Sequence, residues 1–115
     1  MGYTAAQLKV IARKDPQELV RIVNNLDTTD IATLTFGIEI LGEEVADEVI
    51  VLPVLKRLLK HIHSLVREGA MLATSSFYMD KKPPVEILDR LKIISTNDPS
   101  PMLKEYAKDL LKDFS

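Results

Sequence analysis

Two histidines, His61 and His63, have the spacing in this sequence that best suits a metal ion. A His-x-His pair can hold one ion on an extended backbone, because alternate side chains of a strand share a face. On a helix the two side chains point about 200° apart. The chain has no cysteine, and no third ligand lies nearby in the sequence. The pair therefore indicates a polar turn, and we predict no metal site.

Carboxylates and serines are the other side chains that could perform chemistry. Acids cluster in one stretch, which contains Glu39, Glu43, Glu44, Asp47 and Glu48. Paired carboxylates can act as acid and base, but this stretch crosses a predicted helix end without a nucleophile, which favours a solvated face. Ser75 and Ser76 lack the glycine context of an activated serine, and no glycine-rich phosphate loop is present. We expect no enzymatic activity and no cofactor.

The composition indicates one soluble domain. With 115 residues the chain has the length of a single hydrophobic core. Fifteen basic and seventeen acidic residues give a net charge of −2, which disfavours nucleic acid or an anionic membrane as a partner. The longest apolar run, residues 49–55, is far shorter than the roughly 20 residues of a membrane span. The absence of cysteine fits a reducing compartment, so we expect a cytoplasmic protein.

A basic stretch follows the acidic one and has no acid among residues 56–67. Its cations and histidines are Lys56, Arg57, Lys60, His61, His63 and Arg67. Such asymmetry could steer a charged protein partner or bind phosphate. A solvated helix end is favoured over a nucleic-acid site, with Arg67 in a structural role.

Capping residues and apolar periodicity predict seven helices and no strand. Thr4 and Gln7 form a capping box, and Asp15-Pro16 opens the second helix. Gly42 is the expected stop of the third helix, and Ser64 the expected cap of the fifth. The β-branched run at residues 49–51 could form a strand, but the leucine spacing after it favours a helix. The predicted helices are 4–14, 15–27, 29–42, 49–60, 65–79, 84–94 and 101–114.

The helices repeat in pairs. Residues 64–70 (SLVREGA) align with residues 101–107 (PMLKEYA) at an offset of 37, which places apolar on apolar, cation on cation and Glu on Glu. Shifting back by 33 from Ala70 reaches Gly37, another small residue. Two helices in 33–37 residues are typical of an α-solenoid, in which each hairpin buries its apolar faces against its neighbours.

The segment 51–77, VLPVLKRLLKHIHSLVREGAMLATSSF, resembles a HEAT repeat. It has an early proline, Pro53, a leucine-rich end, and Val66-Arg67 ahead of the small Ala70. The resemblance implies an all-α fold: a short right-handed α-solenoid of about three HEAT-like hairpins plus an N-terminal helix. The implied single domain, 1–115, has a leading helix at 4–14 and repeats at about 15–42, 47–79 and 84–114.

The HEAT family also has an aspartate in the turn of each repeat that pairs with an arginine of a neighbouring repeat. Asp27 and Asp98 stand at turn positions of this kind, and Arg67 stands at the arginine position. The sequence departs from the pattern at His63, near the turn position of the middle repeat, and at Thr33, which replaces the arginine of the first.

The second helices of the repeats are the expected binding elements. The repeat alignment places Ala32, Phe36, Gly37 and Ile40 on the core stripe of the third helix, whereas Ile31, Leu34, Ile38 and Leu41 form a second stripe. We expect the N-terminal helix to cover the second stripe; the alternative is an exposed groove for a partner helix. The predicted partner-binding residues are Glu68, Met71, Ser75, Tyr78, Glu105 and Lys108, with Met71 and Tyr78 as possible anchors.

These observations predict a non-enzymatic protein–protein interaction module, a small scaffold that binds another protein through its second helices. One alternative is an immunity- or antitoxin-type inhibitor whose acidic stretch, residues 39–48, faces the basic site of a toxin. Another is a nucleic-acid-binding HEAT-like protein. No membrane and no small-molecule substrate is implied, and the sequence does not identify the partner.

Overall fold

The chain forms seven α-helices and no strand within residues 3–26 and 30–115, the residues that a computed structural model describes. In order, α1 is Ala5–Lys14, α2 Pro16–Asn25, α3 Ile31–Glu44, α4 Glu48–Leu58, α5 Ser64–Phe77, α6 Val85–Asn97 and α7 Pro101–Asp113. The predicted all-α class and the helical reading of residues 49–51 are confirmed. Asp27, the predicted end of the second helix and a predicted turn aspartate, lies outside the described residues.

Several helix starts follow the predicted capping chemistry. The Thr4 hydroxyl accepts the Gln7 backbone N–H, and the Gln7 side chain accepts the Thr4 backbone N–H, so the capping box is present. Asp15 caps α2, in which Pro16 takes the first position, where no N–H is needed. At α3 the Asp30 carboxylate accepts both the backbone N–H and the hydroxyl of Thr33.

The helices fall into two units, Met1–Phe77 with α1 to α5 and Tyr78–Ser115 with α6 and α7. In the first unit α3 packs against each of the other four helices. In addition, α2 packs against α1 and α4, and α4 packs against α5. The core of this unit is therefore centred on α3. The prediction of a single domain over 1–115 stays a prediction.

Glycines set the distances between the helices around α3. A Cβ on Gly42 would lie 2.6 Å from the Ala73 carbonyl oxygen, and one on Gly69 would lie 2.9 Å from the Thr35 Cγ2 atom. Residue 35 thus lies against 69 and residue 42 against 73, so α3 and α5 run in the same direction. The prediction that Gly42 stops the helix is wrong: α3 continues to Glu44, and Gly42 lies inside it because α5 approaches there.

The predicted core stripe of α3 is wrong at Ala32 and Phe36, whereas its Gly37 and Ile40 are buried, and the second stripe is covered as expected. Leu34, Ile38 and Leu41 of the second stripe are fully buried, whereas Ala32 and Phe36 of the predicted core stripe are exposed. The close contacts explain this result. Gly37 meets Val23 of α2, and Gly42 meets α5 on another side of α3. The second stripe lies in the narrower arc between these two contacts, and Phe36 lies in the wider arc, part of which faces solvent.

The second unit consists of the α6–α7 hairpin and its leading segment. Its helices bury Ile87, Leu91 and Ile94 from α6 and Leu103, Ala107 and Leu110 from α7. Ser100 caps α7 as predicted, with Pro101 in the first position. The Asp98 carboxylate accepts the Ser100 backbone N–H at 2.9 Å, which fixes the turn between the helices.

Candidate interaction surface

One face of α3 is open to solvent and carries both apolar and acidic groups. Ala32, Phe36, Glu39 and Glu43 follow one another at helical spacing, so they lie in a single row along the helix. Phe36 is 52% exposed, Glu39 is half-buried, and Ala32 and Glu43 are exposed. This row therefore presents a solvent-exposed phenyl ring next to two carboxylates.

The neighbouring helix α5 continues the same kind of surface. Its outward residues are Leu65, Glu68, Leu72 and Ser75; Leu65 is 51% and Leu72 39% exposed, while Glu68 and Ser75 are half-buried. The two helices run in parallel with their backbones close together, so the two rows lie side by side. We call these eight residues the α3–α5 face.

The α3–α5 face is negatively charged. Glu39 lies on α3 one turn from Glu43 and near Glu68 of α5. Partial burial, followed by the negative charges of Glu43 and Glu68, raises the pKa of the Glu39 carboxyl above its usual range. Within the described part of the chain, none of these three carboxylates has a cationic group within 4.0 Å. The face therefore presents uncompensated negative charge next to exposed apolar side chains.

The remaining acids of the predicted acidic stretch have structural roles or stand at a helix start. Glu44 accepts a hydrogen bond of 2.6 Å from the Arg13 Nε atom and so joins α3 to α1. Asp47 caps α4 by accepting the Val49 backbone N–H, and Glu48 is the first residue of that helix. Of the acidic stretch, therefore, only Glu39 and Glu43 belong to the α3–α5 face.

The predicted partner-binding residues divide between surface and core. Glu68 and Ser75 lie on the α3–α5 face. Met71 is 0% and Tyr78 1% exposed, so in this structure neither can serve as a surface anchor. The repeat alignment predicts Met71 as exposed because it lies three residues after Glu68. The exposed side of α5 is narrow, however, and includes Leu72 and not Met71.

Glu105 and Lys108, the other two predicted partner-binding residues, are exposed on α7 in the second unit. The Lys108 Nζ atom donates to the Glu105 carboxylate at 3.2 Å, one turn along the same helix. Such a pair is typical of a solvated helix face and contributes little to stability.

The two histidines form a backbone-bonded turn between α4 and α5. The His63 backbone N–H donates to His61 Nδ1 at 3.0 Å, and the Leu65 backbone N–H donates to His63 Nδ1 at 3.2 Å. The His63 carbonyl also accepts the N–H groups of Val66 and Arg67. His63, and not the predicted Ser64, therefore caps α5, which begins at Ser64.

Cations of the basic stretch also hold the fold together. The buried Arg67 donates through one guanidinium nitrogen to the carbonyls of His61 and Ile62, both at 2.9 Å. Arg57 donates to the Asn24 side chain at 2.6 Å and so joins α4 to α2. That bond lies in the groove between α2 and α4, which is lined in part by Val20, Ile50 and Pro53.

Another depression lies along the outer side of α1. Its lining is mainly apolar and includes Tyr3, Ala6, Val10 and Ile11. No charged group lines it among the residues that the structure describes, so these offer no electrostatic basis for choosing a ligand. On the α3–α5 face, by contrast, exposed apolar groups lie beside unpaired negative charge.

Searches for ligand sites and for related proteins give no further assignment. Among residues 3–26 and 30–115, no three His, Asp or Glu side chains are grouped so that they could hold a metal ion. No described helix has the length and apolar character needed to cross a membrane. Comparison of the chain with protein-family models, with curated proteins and with solved structures found no match.

Proposed function

We propose that this protein is a non-enzymatic protein–protein interaction module that binds its partner through the α3–α5 face. The observation that carries the proposal is the combination on one surface of exposed Phe36 and Leu72 with three unpaired carboxylates. Exposed aromatic and aliphatic groups supply the apolar centre of an interface, and charges around them steer association. The cysteine-free chain would do this in the cytoplasm.

A HEAT-like solenoid is the proposed architecture for this role. In its support, α2 packs against α3 and α4 against α5, as two hairpins would. The first helices, α2 and α4, also pack against each other, and the second helices, α3 and α5, run in parallel. The α6–α7 hairpin would be a third repeat. Stacked hairpins would give a preformed surface, which lowers the entropic cost of binding.

The negative charge on the face also favours a second candidate function, that of an immunity- or antitoxin-type inhibitor. Glu39 and Glu43 lie in the acidic stretch that would face a basic toxin site, and Glu68 of α5 adds to their charge. Such an inhibitor would bind one toxin with high affinity through the same surface. Both candidates are binding functions, and they differ in what the bound partner does.

Site-specific photo-crosslinking in cells of the source organism tests the proposed function. A benzophenone amino acid would replace Phe36 or Leu72 on the α3–α5 face, and exposed Lys92 or Met102 of the second unit as matched controls. We expect one protein to be crosslinked from the two face positions and not from the controls. Absence of a protein adduct at both face positions would overturn the proposal, and equal labelling from all four positions would do so as well.

A further inference from the structure

We infer that the partner presents to the α3–α5 face a cationic amphipathic helix, with apolar side chains that contact Phe36 and Leu72 and with Lys or Arg side chains that pair with Glu39, Glu43 and Glu68. This inference rests on the proposed function and names the chemistry of the partner segment. It follows from the charge, the exposed side chains and the helical frame of the face.

The charge of the face requires a positive partner. The charges that act on Glu39 are those of Glu43 and Glu68, both negative. Like charges one turn apart on a helix destabilise it, so the fold loses stability by grouping these carboxylates unless a cation meets them. Phosphate groups of nucleic acid and anionic lipid headgroups would be repelled. A second copy of this chain, docked symmetrically through the same face, would place carboxylate against carboxylate.

The apolar part of the face requires an amphipathic partner. Phe36 and Leu72 are exposed to 52% and 39%, and Leu65 lies on the same side of α5. A simple polycation would pair with the carboxylates and leave these side chains in water. A segment with apolar groups along one side would cover them and gain the free energy of burying that surface.

A helix suits this face better than an extended peptide does. The described chain has no strand, so it offers no sheet edge to which a peptide strand could add. A polyproline segment needs a groove lined by several aromatic rings, whereas Phe36 is the one aromatic residue of the α3–α5 face. Two parallel helices side by side form a shallow groove for a third, and the 12 residues from Ala32 to Glu43 span about 16 Å. A partner helix of roughly three turns would cover that length.

Binding of designed peptides to the full-length protein tests the inference. The probe is a 14-residue Leu/Lys peptide with leucines at helical spacing, and its two controls are the same peptide with Glu for every Lys and a scrambled Leu/Lys peptide of equal charge. We expect the amphipathic cationic peptide to bind at least tenfold more tightly than either control in a fluorescence anisotropy titration. We also expect its affinity to fall as NaCl is raised. A ratio below tenfold against either control would overturn the inference.

Variants locate the binding on the face. The triple variant E39Q/E43Q/E68Q should weaken binding of the cationic peptide at least tenfold, and Phe36→Ser should weaken it at least fivefold. The matched control D89N/D109N/D113N removes three exposed carboxylates from α6 and α7, and it should change the affinity less than threefold. Equal losses in the two triple variants would show non-specific attraction and overturn the inference. The peptide comparison on the unmodified protein does not depend on the folding of any variant.

The crosslinking experiment separates this inference from the proposed function. If a protein is crosslinked through Phe36 and Leu72 and the crosslinked segment is a basic helix, both stand. If the segment is acidic, uncharged or extended, the partner chemistry is wrong and the interaction function stands. If no protein is crosslinked from the face, the proposed function fails whatever the peptides do.

Discussion

Gly42 and Ala73 bring the backbones of two parallel helices, α3 and α5, into direct contact. A Cβ built on Gly42 would lie 2.6 Å from the Ala73 carbonyl oxygen and 2.8 Å from its Cα atom. Both of these are backbone atoms, which cannot move without shifting α5. The missing side chain at residue 42 therefore sets the spacing of the helix pair that carries the α3–α5 face.

Gly42→Ala should lower the free energy of unfolding, by about 1–3 kcal/mol as other overpacked core substitutions do. Alanine is the better helix former by up to about 1 kcal/mol, and this gain offsets part of the steric cost. Urea denaturation followed by circular dichroism would measure the change. Gly69→Ala is the matched control, because its new Cβ would meet the Thr35 side-chain methyl group at 2.9 Å and no backbone atom closer than 3.6 Å. An equal or smaller loss for Gly42→Ala than for the control would contradict the backbone contact.

Met71 and Leu72 are neighbours on α5, and truncation of each should lower stability by a different amount. Met71→Ala should cost about 2–5 kcal/mol of stability, since it leaves a cavity at a fully buried position. Leu72→Ala should cost roughly 1 kcal/mol or less, since part of that side chain is already in water. Chemical denaturation of both variants would measure the two losses in the free energy of unfolding. Similar losses would mean that the described burial of α5 is wrong.

Arg67→Met should lower the free energy of unfolding by about 2 kcal/mol, because the guanidinium donates two hydrogen bonds to carbonyls of the α4–α5 turn. The apolar stem is kept in this variant, so the loss reports on the polar interactions of the guanidinium and not on its packing. Arg57→Met, at an exposed position bonded to Asn24, should change stability by less than about 1 kcal/mol. Thermal unfolding of the two variants tests the contrast, and equal losses would contradict the structural role of the buried Arg67.

Glu39→Gln should raise the melting temperature at pH 7. Burial and two like charges raise the pKa of Glu39 above its ordinary value of 4.5. The folded state therefore favours the protonated carboxyl, whose stabilising contribution is complete below pH 4.5 and is lost as the pH rises through the folded pKa. Ionised Glu39 destabilises the fold at neutral pH by a few tenths of a kcal/mol, the size of a like-charge pair on a helix. Calorimetry from pH 3 to 8 should show the advantage of the Gln variant shrinking towards acid; an advantage that grows towards acid would refute it.

Asp30→Ala should have the opposite pH dependence. Hydrogen bonds from the Thr33 hydroxyl, first, and from its backbone N–H lower the pKa of Asp30 below its ordinary value of 3.8. The contribution of the carboxylate to stability is complete above pH 3.8 and is lost as the pH falls through the folded pKa. The variant should melt at a lower temperature than the wild type at pH 7, and the gap should narrow in acid. Asp30→Asn keeps a capping oxygen and should lose less.

Local signals in the sequence predicted the helices well, because capping acts within three or four residues. Thr4, Asp15 and Ser100 each bond a backbone N–H close to them in the chain, as expected. The sequence does not predict His63 as the cap of α5. Its Nδ1 atom reaches the Leu65 N–H only because of the local backbone geometry, which the residue type does not determine. The prediction that Gly42 ends α3 fails for a similar reason, because glycine is common both at helix ends and where two helix backbones touch.

The candidate surface could be predicted only in part. The repeat alignment predicts Glu68 and Ser75 as binding residues, whereas Glu39 and Glu43 are predicted to be solvated and face a partner only in the inhibitor alternative. Phe36 was assigned to the core, because α3 is apolar on almost every side and periodicity cannot then say which side faces solvent. The spacing of Phe36 to Glu39 and Glu43 could have indicated its exposure. A helix row that contains two carboxylates is the row that costs least to leave in water.

The backbone bonds of the His61–His63 turn determine the tautomer of both imidazoles. Each Nδ1 atom accepts an N–H, from His63 and Leu65 respectively, so each neutral ring must carry its own proton on Nε2. Neither ring then has a lone pair to offer a divalent ion. An ion could bind a ring only by displacing the Nε2 proton or by breaking the backbone bond, and breaking the bond at His63 would remove the cap of α5. The His-x-His spacing suggests a metal chelate, but the Nδ1 lone pairs of His61 and His63 already accept the backbone hydrogen bonds that form this turn.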